Sequence, residues 1–113
     1  MTRREYISRK LSEASLYEQL AEECSELCHA SLKVARFLRK ENPIGMEKIS
    51  DDANPLVDLY LEVAKEFADV MNAIDLINEK SVFVRLDPEE DVVKRCMEMK
   101  IDRWFSRLYE RDI

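Results

Sequence analysis

Four residues in this chain are strong helix breakers, and the places where Pro43, Gly45, Pro55 and Pro88 fall constrain the fold more than any other feature. Nothing of that kind interrupts residues 1–42 or 56–87, so two long stretches are free to run as helices. One glycine in 113 residues is too little punctuation for a turn-rich β architecture, and 37% charged against 46% apolar residues describes long amphipathic helices. The expected fold class is all-α, a bundle of long antiparallel helices.

Start and stop signals divide the chain further. Ser15 with Glu18 reads as a capping box, after which Leu20, Cys24, Leu27, Ser31, Val34 and Leu38 recur at helical spacing until Asn42 and Pro43. That predicts a helix of about 26 residues, roughly 39 Å long at 1.5 Å per residue. Residues 42–54, "NPIGMEKISDDAN", read as a loop. Asn54 and Pro55 then open a second helix whose stripe is Leu56, Leu59, Tyr60, Val63, Phe67, Val70, Met71, Ile74 and Ile77, ending near Glu79. The link "KSVFVRL" has β-branched residues but no partner strand. Asp87, Pro88 and Glu89 restart a third helix carrying Val92, Val93, Cys96, Met99, Trp104 and Leu108.

A chain of this length has room for one domain, 1–113. Stripes this long are covered only in part by a lone copy, so the expected assembly is a homodimer, or a tetramer built from dimers, that completes the bundle. A net charge of -6 argues against a nucleic-acid polymer held by a broad basic face. No apolar run approaches the roughly 18 residues of a membrane span, and "MTRREYISRK" has no apolar signal core. The expected location is the cytoplasm, of a bacterium or of a phage's host, with no membrane partner. Cys24, Cys28 and Cys96 make an odd set that suits reduced, mostly buried thiols rather than a disulfide framework.

The acidic residues hold the chemistry. "EECSEL" crowds Glu22, Glu23 and Glu26 onto one turn, where like charges repel. "EVAKEFADV" repeats the step with Glu62, Glu66 and Asp69. Glu23 and Glu26 flank Cys24 and Leu27, and Glu66 and Asp69 flank Phe67 and Val70, so packing of the stripes brings the acids face to face. Facing carboxylates raise each other's pKa unless a cation neutralises them. Oxygen-only donors without paired histidines favour a hard ion, and Mg²⁺, with Mn²⁺ as a substitute, fits that set while keeping waters for a substrate phosphate. Spacing alone leaves this reading and a solvated acidic face both open.

"EECSEL" followed by "KEFADV" resembles the E-x-x-E and E-x-x-D signature of the all-α nucleoside triphosphate pyrophosphatases, the MazG-like superfamily. The likeness runs from about Leu20 to Leu108 and is nearest to small single-domain members of phages and Gram-positive bacteria. "ASLKVAR" at Ala30 to Arg36, "NP" at Asn42 and Pro43, and "KIDRWFSRL" at Lys100 to Leu108 extend it in the right order. The stretch between the acidic steps is longer than in better-known members, and "NPIG" stands where many relatives have Asn-Pro-Thr-Pro.

The resemblance implies a MazG-like four-helix core and cleavage of a nucleoside triphosphate, (d)NTP, to (d)NMP and pyrophosphate. Glu23, Glu26, Glu66 and Asp69 are then Mg²⁺ ligands, with Glu26 also orienting or deprotonating the water that attacks the α-phosphorus. Glu22, about 100° further round the helix, falls outside that set. The triphosphate needs local cations, for which Lys33, Arg36, Lys100, Arg103 and Arg107 are available, and Asn72 lies one turn past Asp69. Trp104 reads as a core or interface aromatic, or as a platform for a base. Two other readings compete. Glu26 and His29 form a Glu-x-x-His step of the kind used by di-iron carboxylate bundles. Alternatively, the chain is a non-enzymatic helical interaction module whose acids only solubilise it.

Overall fold

The computed structural model describes residues 1–39, 55–81, 83 and 85–112, and every regular element among them is an α-helix. In chain order these are α1 (Arg3–Lys10), α2 (Glu13–Leu38), α3 (Pro55–Lys80) and α4 (Asp91–Asp112). They fall into two compact units, Met1–Lys80 and Ser81–Ile113. The all-α expectation holds for the described residues, and the loop expected over 42–54 lies outside them. None of the described helices is long and apolar enough to cross a membrane.

The short helix α1 is an addition to the three expected. It starts because "TRRE" is a capping box: the Glu5 amide donates to Thr2 Oγ1 at 3.1 Å, and the Thr2 amide donates to Glu5 Oε2 at 3.0 Å. Eight residues are too few to hold a helix alone, so tertiary bonds fasten it. Arg4 donates to Asp75 Oδ2 at 2.9 Å and Asn72 Oδ1 at 3.1 Å on α3, and Lys80 Nζ donates to the carbonyls of Ser8 and Leu11.

Two expected boundaries move. The N-cap of α2 is Ser12 rather than Ser15, because Ser12 Oγ accepts the Ser15 amide at 3.0 Å, so the helix begins three residues earlier. Pro88 stands in a turn before α4 instead of at its first position. Asp87 Oδ1 accepts the Glu89 amide at 2.9 Å and the Asp87 carbonyl accepts the Glu90 amide at 3.0 Å, which delays the helix to Asp91.

Helices α2 and α3 pack antiparallel, since Lys33 pairs with Glu62 while Glu23 and Glu26 meet Glu66 and Asp69. The residues turned toward the partner helix alternate three and four apart: Leu16, Leu20, Glu23, Leu27, Ala30, Val34 and Phe37 on α2, and Leu56, Leu59, Val63, Glu66, Val70, Ala73 and Ile77 on α3. This is the spacing of a coiled-coil seam. Leu16, Ala30, Leu59, Val70, Ala73 and Ile77 are its buried members.

That seam corrects the expected stripes, and with them the expected thiol burial. Cys24, Ser31, Leu38, Tyr60, Phe67 and Met71 are exposed, and all three cysteines are free and exposed. Each helix carries a second stripe one residue after the seam. On α2 it is Tyr17, Ala21, Cys24, Cys28, Ser31, Ala35 and Leu38, and on α3 Val57, Tyr60, Ala64, Phe67, Met71 and Ile74. One residue is about 100° of rotation, and in antiparallel helices equal rotations turn both second stripes to the same side of the pair. The residues one before each seam position turn to the other side: Ser15, Gln19, Glu22, Glu26, His29, Lys33 and Arg36 on α2, and Glu62, Lys65, Asp69 and Asn72 among those on α3. The pair thus has an apolar flank and a polar flank.

Within the second unit, α4 contains no buried residue. Phe105 and Tyr109 stack with ring centroids 5.7 Å apart, and Trp104 is 63% exposed.

Candidate metal centre

The seam of α2 and α3 is interrupted at one level, where Glu23 and Glu66 take positions that apolar residues occupy elsewhere. Sequence reading places these acids beside the stripe, whereas in the structure they belong to it and are half-buried. Glu26 and Asp69, three residues on, reach the same place from the polar flank and are exposed. One carboxylate oxygen from each of the four lies within 4.8 Å of the other three, so the expected set does converge.

The group is short of positive charge. Glu23 Oε2 and Glu66 Oε2 are shielded from water and have no hydrogen-bond partner. Each such buried acceptor costs about 1–3 kcal/mol, and more when charged. A hydrogen bond with Glu66 pushes the Glu26 carboxyl above its ordinary value of 4.5, reinforced by the charge of Glu23, loss of hydration, and the charges of Glu66 and Glu22. Four converging carboxyl groups, one of them held above its ordinary value and two with a shielded, unpartnered oxygen, are what a divalent cation would relieve. The donors are all hard oxygens, which fits Mg²⁺ or Mn²⁺.

The other expected residues distribute as follows. Lys33 Nζ pairs with Glu62 Oε1 at 3.1 Å, linking α2 to α3 on the polar flank and keeping Glu62 out of the four-carboxylate group. Arg36 is exposed on the same flank. Asn72 accepts a hydrogen bond from Arg4 at 3.1 Å, a partner that sequence spacing did not disclose. Lys100, Arg103 and Arg107 share one recess on α4 with Trp104. His29 is exposed and outside the four-carboxylate group, as is Glu22.

Gln19 was not singled out by sequence. Its Nε2 donates to Glu23 Oε1 at 2.6 Å from one turn earlier on α2. The signal was present as a Gln four residues before a Glu, neighbours on a helix surface.

No protein-family model matches the sequence, and no curated protein or solved structure matches the chain.

Proposed function

We propose that the chain is a Mg²⁺-dependent nucleoside triphosphate pyrophosphohydrolase of the MazG-like type, converting (d)NTP to (d)NMP and pyrophosphate. The observation that carries this reading is the convergence of Glu23, Glu26, Glu66 and Asp69 from two helices, with two of their oxygens buried and unpartnered. The motif resemblance supplies the reaction. When bound, Mg²⁺ or Mn²⁺ supplies charge neutralisation at phosphate and a more acidic water.

The chain's own residues do the rest. Glu23 and Glu66 present oxygens from inside the seam, and Glu26 and Asp69 present theirs from the rim, so the four would hold the ion. Glu26 takes a proton from the attacking water at a carboxylate oxygen. The water oxygen bonds to the α-phosphorus, the bond from that phosphorus to the α–β bridging oxygen breaks, and pyrophosphate leaves. Lys100, Arg103 and Arg107 surround a recess suited to phosphate oxygens, and Arg36 adds a guanidinium on the polar flank. Lys33 keeps two N–H donors beyond its bond to Glu62, and Asn72 keeps its NH₂ group beyond its bond from Arg4.

A second copy covers the apolar flank, giving a homodimer in which two α2–α3 pairs form a four-helix bundle, with a dimer of dimers as the larger assembly. What supports this is a flank of seam-like spacing on which Tyr60 and Phe67 are each about half exposed.

The test is pyrophosphate release from a panel of ribo- and deoxyribonucleoside triphosphates, with Mg²⁺ and with chelator, for the wild type and Glu26→Gln. Metal-dependent release lost in the variant is the expected result. A folded sample that releases pyrophosphate from none of them would falsify the reading.

A further inference from the structure

We propose that Gln19 is a positioning residue for the acidic cluster: its amide holds one oxygen of Glu23 at the rim and thereby aims the other into the seam, toward the cation. The inference rests on the cation reading above. A glutamate at a half-buried helix position is free to swing its whole carboxylate out to water, as long charged side chains do when an apolar stem is covered. Glu23 does not. Its Oε1 accepts the Gln19 Nε2 proton at 2.6 Å, and its Oε2 is left in the seam, shielded and without a partner. The two oxygens of Glu23 are thus divided, one bonded by the amide at the rim and the other shielded and left to serve a cation.

The chemistry of the donor matters. A lysine or arginine at this position would also orient Glu23, but would neutralise it and compete with a cation. The amide of Gln19 is a neutral donor, so it fixes direction and leaves the negative charge available. Gln19 is exposed on the polar flank, one residue before the seam position Leu20, so its replacement removes no core packing. Groups that hold a metal ligand in place by hydrogen bonding contribute about ten- to a hundredfold to metal affinity.

The experiment is Mn²⁺ titration followed by the electron paramagnetic resonance signal of free Mn²⁺, together with melting of the metal-free protein, for the wild type and Gln19→Met. The expected result is Mn²⁺ binding about ten- to a hundredfold weaker in the variant, with a metal-free melting temperature equal to or above that of the wild type. In a Glu23→Gln background the same replacement is expected to change Mn²⁺ affinity by less than about twofold, because its action runs through Glu23. Equal affinity in Gln19→Met and wild type overturns the proposal while leaving the cation reading intact. A loss accompanied by a lower metal-free melting temperature, or one that persists in the Glu23→Gln background, also overturns it, in favour of a structural role. A wild type that retains no Mn²⁺ removes the cation reading and the role of Gln19 together.

Discussion

The two flanks of the α2–α3 pair are built by the same helices over the same length and differ in everything else. One residue before each seam position of α2 the sequence is polar throughout, from Ser15 and Gln19 to Lys33 and Arg36; one residue after, it is small or apolar, from Tyr17 to Leu38. On α3 the same contrast sets Glu62, Asp69 and Asn72 against Val57, Tyr60, Phe67 and Met71. An isolated two-helix pair has no physical reason to keep one outer side apolar and the other charged, since both face water. The difference teaches that one side is made for apolar contact and the other for polar contact, of which the bond from Arg4 of α1 to Asn72 is one example; it is this contrast that the proposed second copy and phosphate-bearing ligand would use.

The comparison breaks most visibly at the cluster between the flanks. Glu23→Ala and Asp69→Ala are each expected to lower the rate of pyrophosphate release by at least about 10³-fold, several kcal/mol of lost charge stabilisation. Helical circular dichroism should stay at the wild-type level, and a variant with undiminished metal-dependent turnover would contradict the ligand set. On the apolar flank, Phe67→Glu is expected to weaken self-association at least about a hundredfold, because an unpaired charge buried at an interface costs roughly 3–5 kcal/mol. Sedimentation at several concentrations reads this, and an unchanged mass would free the flank from the dimer.

Smaller effects sharpen the picture. Glu66→Leu replaces one of the two seam carboxylates with an apolar side chain and should stabilise the metal-free protein by about 1–3 kcal/mol, read as a rise of roughly 5 °C or more in melting temperature, while abolishing Mn²⁺ stabilisation. Glu26 has a folded-state pKa above that of the unfolded chain, so the folded form binds the proton more tightly and loses stability as pH rises from 4.5 through the raised value. The melting temperature of metal-free Glu26→Gln should therefore climb relative to the wild type over that range, and a difference that does not vary with pH would contradict the raised Glu26 carboxyl. Least of all, Lys33→Ala should change stability by no more than about 1 kcal/mol, since the pair with Glu62 is part-exposed.

Much of this was legible in the sequence. Pro55 marks the start of α3, and the two acidic steps name the four carboxylates that converge. What was misread is the phase of the stripes. Because each helix carries two apolar stripes about 100° apart, a scan for apolar spacing merges them and counts Cys24, Phe67 and Met71, which are exposed, with a core that they do not join. The same merging put Glu23 and Glu66 beside the seam, since a search for apolar residues cannot place a charge inside it. The capping box "TRRE" was readable, but α1 depends on Arg4 and Lys80 reaching distant groups, which local spacing does not show. Lys33 and Asn72 were legible as polar residues near the acids; their bonds to Glu62 and Arg4 follow only from the pairing of helices.

The alternating three-and-four spacing of the seam acts as a reading frame for the faces of α2 and α3. Substitutions change one side chain at a time, whereas deleting a single residue between Leu27 and Val34 would turn everything beyond it by about 100° relative to everything before. Cys28 and Ala35 of the apolar flank would no longer line up, and Lys33 and Arg36 would leave the side on which Glu26 lies. Length variation within these two helices is therefore expected in steps that restore the frame, such as seven residues, and single-residue changes are expected only outside Leu16–Phe37 and Leu56–Ile77.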